Sequence, residues 1–206
     1  MKKTISVFLL CLSMAWNVSA QEVTKLPEPD MKLSVTLTEA MGRRRSDRGF
    51  DANKGITDQQ LSLLLWAACG VNRADKGLLT IPTATNAKDI TVYACRKDGV
   101  ARFDPYTNTL VKVCGEDIRP QLAGRQQNMS SAPLFLLIVS DKSKFRGHAD
   151  VFGAMDAGYS SQNICLMCAA LGLKTVPRAM MDAEAVAKAL GFGENITIEL
   201  NHPIGY

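Results

Sequence analysis

The sequence predicts an α+β protein, and three features of its patterning predict it. Period-two runs between Ile90 and Val113 read as a three-stranded meander, Leu134 to Val139 reads as one continuous apolar strand, and helical spacing is confined to other segments. Strands and helices that segregate in this way, instead of alternating, favour α+β over a parallel α/β sheet. The chain of 206 residues shows no internal repeat and no dividing linker. Its 47% hydrophobic and 21% charged residues are the balance of a chain that buries a core, which excludes disordered and collagen-like classes.

Taken in order, Met1 to Ala20 carries Lys2 and Lys3, an apolar run from Ile5 to Trp16, and small residues at Ser19 and Ala20. That is the layout of a secretory signal peptide. Residues 1–20 are therefore expected to be cleaved, leaving 21–206 as one exported, periplasmic domain. The apolar run falls short of the roughly 20 residues that cross a bilayer, and no stable membrane span is expected. Residues 21–33, with Pro27 and Pro29, read as an extended arm. Thr36 heads a short helix through Met41. Thr57 to Gly70 is a clearer helix: Thr57 and Gln60 form a capping box, Leu61, Leu64, Leu65 and Ala68 form one stripe, and Gly70 supplies the stop.

The meander strands, Ile90–Cys95, Val100–Phe103 and Thr109–Val113, are separated by Lys97-Asp98-Gly99 and by Asp104 to Asn108. A helical segment is expected from Glu116 to Gly124, and the Leu134–Val139 strand belongs at the sheet centre because it is apolar on both faces. Ala149 to Leu171 reads as a long helix stopped by Gly172. Asp182 to Leu190 gives the last helix, and Asn195 to Leu200 the last strand.

Loss of the leader removes Lys2 and Lys3 and no acids, taking 24 Lys+Arg to 22 against 20 Asp+Glu, a balance that argues against a nucleic-acid binder. Five cysteines would remain: Cys69, Cys95, Cys114, Cys165 and Cys168. Cys165 and Cys168 have redox spacing but lie inside a helical pattern, not at the helix N-terminus that stabilises a thiolate, so buried thiols are favoured over a thiol oxidoreductase. Cys95 and Cys114 end the first and third meander strands, about 9 to 10 Å apart, beyond the roughly 7 Å limit for a bridge. No obligatory disulfide is expected. His148 and His202 are too far apart in sequence to suggest a zinc site.

Nucleophile elbows, phosphate loops and dinucleotide fingerprints are absent. What stands out is Arg43-Arg44-Arg45-Ser46-Asp47-Arg48, directly after a short helix. Guanidinium forks beside a hydroxyl suit a phosphate monoester, although an arginine run is also how a solvated face reads.

The order of motifs carries more than any one of them. Arg44 to Phe50, the Thr57 helix with Leu-Leu-Leu-Trp-Ala-Ala, Gly70-Val-Asn-Arg73 and Pro82-Thr-Ala-Thr-Asn86 come first. Gln162-Asn163, Ala170 to Leu173, Val176-Pro177-Arg-Ala179 and the closing Pro203-Ile-Gly-Tyr206 follow. In this order the chain, from about Glu39 to its end, resembles the nitroreductase family of FMN proteins, most closely its SagB-type dehydrogenase branch. The resemblance implies a central, mostly antiparallel sheet flanked by helices. It also implies that Arg44 and Ser46 hold the FMN phosphate with Arg45 beside them, and that Arg48 approaches the flavin pyrimidine. Asn86 would bond that ring edge, with a simple turn asparagine as the alternative. The backbone N–H groups of Ala179 and Met180 would face flavin N5 and O4. Many members continue into a basic tail beyond the last strand; here Arg43 is expected to take that share.

The function so implied is an FMN-dependent oxidoreductase passing a hydride or electrons from a reduced donor, NAD(P)H or another, to a small organic acceptor. No side chain is assigned as catalytic, because the flavin carries the chemistry. The alternative is a noncatalytic exported flavin- or ligand-binding protein with the same fold. A homodimer is also expected, formed through the 149–171 helix, whose Gly153, Ala154, Ala157 and Gly158 would let a partner backbone approach.

Overall fold

The computed structural model describes residues 21–206, so the signal peptide read at 1–20 lies outside the described residues. In chain order come β1 (Val23–Lys25), α1 (Leu37–Arg43), α2 (Asp58–Cys69), β2 (Val71–Arg73), β3 (Leu78–Leu79), a 3-10 turn at Ala84–Asn86, β4 (Ile90–Arg96), β5 (Gly99–Asp104) and β6 (Thr109–Cys114). They are followed by α3 (Arg119–Ala123), β7 (Leu134–Asp141), α4 (Ala149–Leu171), β8 (Lys174–Thr175), α5 (Ala183–Leu190) and β9 (Ile196–Gly205).

Seven strands form one sheet in the order β1-β6-β5-β4-β7-β9-β8, with every pairing antiparallel, and β2 and β3 make a separate hairpin. The meander is β4-β5-β6, as its alternating pattern dictates, and β7 lies between β4 and β9. Every residue from Leu134 to Val139 is buried. Leu134, Leu136 and Ile138 pack with Leu61, Leu64 and Leu65 of α2 and Ile164 of α4, whereas Phe135, Leu137 and Val139 pack with Leu122 of α3 and Val186 of α5. The period of two thus divides one apolar run between two cores, and helices cover both faces of the sheet.

The helix ends follow local chemistry. Thr36 with Glu39, and Thr57 with Gln60, make reciprocal capping boxes, and Asp182 caps α5 through the Ala185 N–H. Gly172 ends α4 in the left-handed region at φ 68°. Gly70 ends α2 with an extended backbone instead, and a Cβ there would fall 2.6 Å from Trp66 Cα. Glycine is required at that position by close approach, not by a left-handed turn.

Three boundaries differ from the sequence reading. The extended arm contributes an edge strand, β1, paired to β6. The segment expected to be helical from 116 to 124 is one short turn of helix, Arg119–Ala123, with Pro120 in its first turn. The last strand continues through Pro203 to Gly205; β8 pairs only with Gly205 and Ile204, so its ladder stops one residue short of the proline that has no N–H to give.

The small residues of α4 do not share a face. Ala157 is buried, and a Cβ on Gly153 would lie 2.5 Å from Ser140 Oγ, so this pair packs against the sheet. Ala154 and Gly158 are exposed beside Val151, Met155 and Tyr159. The outward stripe is therefore built from apolar side chains and two of the four small residues.

Candidate functional site

The arginine run leaves α1 at Arg43, and the Arg44 N–H closes the helix on Ala40 O at 2.9 Å. The chain then passes alongside β8, where the Asp47 N–H donates to Thr175 O at 2.9 Å. The Asp47 carboxylate accepts the Gly49 N–H at 3.3 Å and lies 3.4 Å from Arg45 Nε. These contacts, the Gly49 bond foremost, hold its carboxyl below the ordinary range. Arg43 is 3.7 Å from Glu39. Among the described residues Arg44 and Arg48 have no carboxylate partner within ion-pair distance.

Arg43, Arg44, Arg45 and Asp47 line one wall of a cavity of about 470 Å³; Cys165, Cys168 and Ala169 of α4, with Gly172 to Thr175, line the other. Three guanidiniums and Lys174 against a single carboxylate make a basic mouth suited to a dianion. Ser46 and Arg48 are exposed and are not on this wall. Beneath it runs a buried chain of polar contacts: Thr175 Oγ1 lies 3.3 Å from His202 Nδ1, and His202 Nε2 lies 2.9 Å from Ser161 Oγ. Burial drives the His202 pKa down to about 3, so this imidazole is neutral.

The thiols in the cavity are inert. Burial raises the pKa of both Cys165 and Cys168, opposed at Cys165 by the Arg44 charge and reinforced at Cys168 by Cys165. All five cysteines of the described residues are free, and Cys95 and Cys114 flank Val100 of the intervening β5 from opposite sides. The thiol-oxidoreductase reading therefore finds no low-pKa cysteine here.

Past β8 the chain bridges to β9 at Arg178, whose N–H and C=O bond Asn201 O and N at 2.9 and 2.8 Å. The next two residues, Ala179 and Met180, are exposed, and among the described residues no acceptor takes their N–H groups. Those are the two positions expected to face the flavin. Met180 also lines a cavity of about 630 Å³ with Arg125, Met181 and the start of α5. Arg48 lies near enough to Arg178 that its charge lowers the Arg178 pKa, second to burial. The arginine run, alongside β8, is therefore a neighbour of the 178–180 segment that continues the chain beyond that strand.

Asn86 stands apart from both. It is exposed, at φ 57° in a turn whose Thr85 and Lys88 are also left-handed, at 54° and 51°. That turn is tied to α4 by the Ala84 N–H, which donates to the buried Asp156 Oδ2 at 2.8 Å. Asn86 makes no side-chain hydrogen bond among the described residues. Of the residues picked from the sequence, then, Arg44 and Arg45 share a cavity, Arg48 and Ala179-Met180 lie beside Arg178, and Ser46 and Asn86 are surface groups.

Sequence reasoning missed Thr175, Arg178, Asn201, His202 and Asp156. Asn201 and His202 are fully buried polar residues in an otherwise apolar strand end, a departure that could have marked them.

Residues 41–206 match the model of the nitroreductase family, and the chain belongs to that family of oxidoreductases. A Methanocaldococcus jannaschii protein assigned as a nitroreductase is 29% identical over 163 residues, covering 72% of this chain and 80% of the relative. A crystal structure of a protein from Ralstonia eutropha JMP134, also assigned as a nitroreductase, is 32% identical with a TM-score of 0.83, covering 89% of this chain and 88% of that one. A nitroreductase from Desulfovibrio desulfuricans, solved in complex with FMN, shares the fold at 19% identity and TM-score 0.63, covering 84% of this chain and 86% of that one.

Proposed function

We propose that this chain is an FMN-dependent oxidoreductase that takes a hydride or electrons from a reduced donor, NAD(P)H or another, and delivers them to a small organic acceptor. The observation that carries the reading is the basic cavity of Arg43, Arg44, Arg45 and Lys174 beside β8, together with the segment just beyond that strand whose two N–H groups are unengaged among the described residues. The residues fit the cofactor: the cavity offers charged forks for a phosphate, and Ala179 and Met180 offer backbone donors for a polar ring edge. FMN, where bound, supplies the hydride-accepting and hydride-donating atom.

The protein's share is orientation and electrostatics. Arg44, lacking a carboxylate partner, would give charge-assisted hydrogen bonds to the phosphate together with Ser46; Arg45 would lie beside them along the sugar-alcohol chain, and Arg48 would bring positive charge to the pyrimidine. The Ala179 and Met180 N–H groups act as fixed dipoles that need no rearrangement during transfer. The working unit is a homodimer whose subunits meet at the exposed Val151, Met155 and Tyr159 stripe of α4, across Ala154 and Gly158. Lys2-Lys3, the apolar run and Ser19-Ala20 support export to the periplasm as an unfolded chain, so FMN and donor are met outside the cytoplasm.

Anaerobic mixing of the FMN-loaded mature chain with NADH or NADPH tests the activity. The flavin absorbance should bleach with one of these or with dithionite-reduced viologen, and return when a nitroaromatic or quinone acceptor is added. A flavin that stays oxidised with every donor would reduce the chain to a flavin-binding protein.

A further inference from the structure

Arg178 is 7% exposed and has no carboxylate within ion-pair distance among the described residues. Its fork is spent on neutral acceptors: Nη1 donates to Leu122 O at 2.9 Å and Asn201 Oδ1 at 3.0 Å, Nη2 to Ala123 O at 2.8 Å, and Nε to Gln126 Oε1 at 3.3 Å. A guanidinium buried without a counter-ion carries a desolvation penalty that carbonyls offset only in part, and its pKa is lowered by burial first and by Arg48 second. A neutral donor could serve the same acceptors. The surplus is a positive charge, next to a second cation, beside the segment that presents the Ala179 and Met180 N–H groups.

Asn201 fixes how that segment lies. Its Oδ1 accepts from Arg178, and its Nδ2 donates to Met180 O at 3.3 Å, while the two backbones pair at residue 178. Arg178 and Met180 are thus each held on one buried amide, and the peptides between them have little freedom to turn their N–H groups inward.

We propose that Arg178, locked by Asn201, is a positioning residue that orients the Ala179 and Met180 N–H groups and, through its unpaired charge, favours the reduced over the oxidised flavin. The inference rests on the FMN reading above. The unpaired charge favours reduction because reduction adds negative charge to the flavin ring.

The test uses the mature chain loaded with FMN, read by midpoint potential and by separate dissociation constants for oxidised and reduced FMN, with Arg178→Gln, Arg178→Lys and Asn201→Asp. Arg178→Gln removes the charge, and Asn201→Asp supplies the missing counter-charge while keeping an acceptor for Arg178. In each, the preference for reduced over oxidised FMN should fall about tenfold, a midpoint potential about 30 mV lower for a two-electron couple. Arg178→Lys keeps the charge and should stay nearer the wild type than Arg178→Gln. If Arg178→Gln fails to fold, Asn201→Asp carries the comparison by itself. Bound flavin with an unchanged potential in the variants overturns the role of Arg178 and leaves the FMN reading standing. A wild type that binds no FMN overturns both.

Discussion

Arg44 is the arginine of the run with the most to give a ligand, since it lines the cavity and has no carboxylate partner, whereas Arg45 is 79% exposed and lies against Asp47. Arg44→Ala should weaken FMN binding by about 1 to 3 kcal/mol, and Arg45→Ala by less, as read by fluorescence titration; equal losses would contradict the division. Titration of buried groups gives a second expectation. His202 is held at about 3 against an ordinary 6.5, so the unfolded chain binds a proton that the folded chain refuses, and stability is lost as pH falls through that window. Asp89 is raised to about 6 from 3.8 by burial, so its contribution is lost as pH rises. Between pH 4 and 6 the two slopes oppose. Asp89→Asn removes the opposing titration, and chemical denaturation should then show stability rising with pH more steeply than in the wild type, by up to about 1.4 kcal/mol per pH unit across that window; a slope like that of the wild type would refute the assignment. The sequence made the arginine run legible because charge density needs no fold to be seen. It gave Arg178 no role beyond its place in the Val176-Pro177-Arg-Ala179 motif, because its carbonyl acceptors on α3 lie more than 50 residues away in the chain.

The helices and strands were legible where local chemistry decides them. Thr57 and Gln60 mark the start of α2 because their reciprocal bonds span only three residues, and the β4-β5-β6 meander follows from alternation and turns. The expected last strand ended at Leu200, three residues before Pro203, and only the end of the β8 ladder beside that proline explains how β9 tolerates it. The faces of α4 were equally illegible, since successive helical residues point about 100° apart, which puts Gly153 on the buried face and Ala154 on the exposed one. Their substitutions should separate cleanly. Gly153→Ala places a Cβ against Ser140 Oγ and should destabilise the protein by about 1 to 3 kcal/mol, measured by denaturation. A Cβ at Gly158 meets nothing within 4 Å, so Gly158→Leu should leave monomer stability nearly unchanged and lower the dimer fraction seen by light scattering. Equal stability losses at both positions would contradict the two-faced reading.

At the scale of the molecule, one antiparallel sheet with helices on both faces places the arginine run along the outer edge of the short β8 strand and the 178–180 segment just beyond that strand's end. The family resemblance anticipated that sheet and the order of motifs along it. It could not say that Asn86 would sit on a strained turn tied to Asp156, apart from the arginines, because that placement depends on one long-range bond to α4. The five free thiols of the described residues, four of them buried, mean that reductant should not shift the thermal midpoint of the mature chain, checked by a melt with and without dithiothreitol. The most direct measurement is made on the mature chain, incubated with FMN, desalted, and examined by visible spectrum and native mass. One FMN retained per chain, with its absorption band shifted from that of free flavin, is the predicted result. A colourless protein of apo mass, with FMN recovered wholly in the small-molecule fraction, would contradict it.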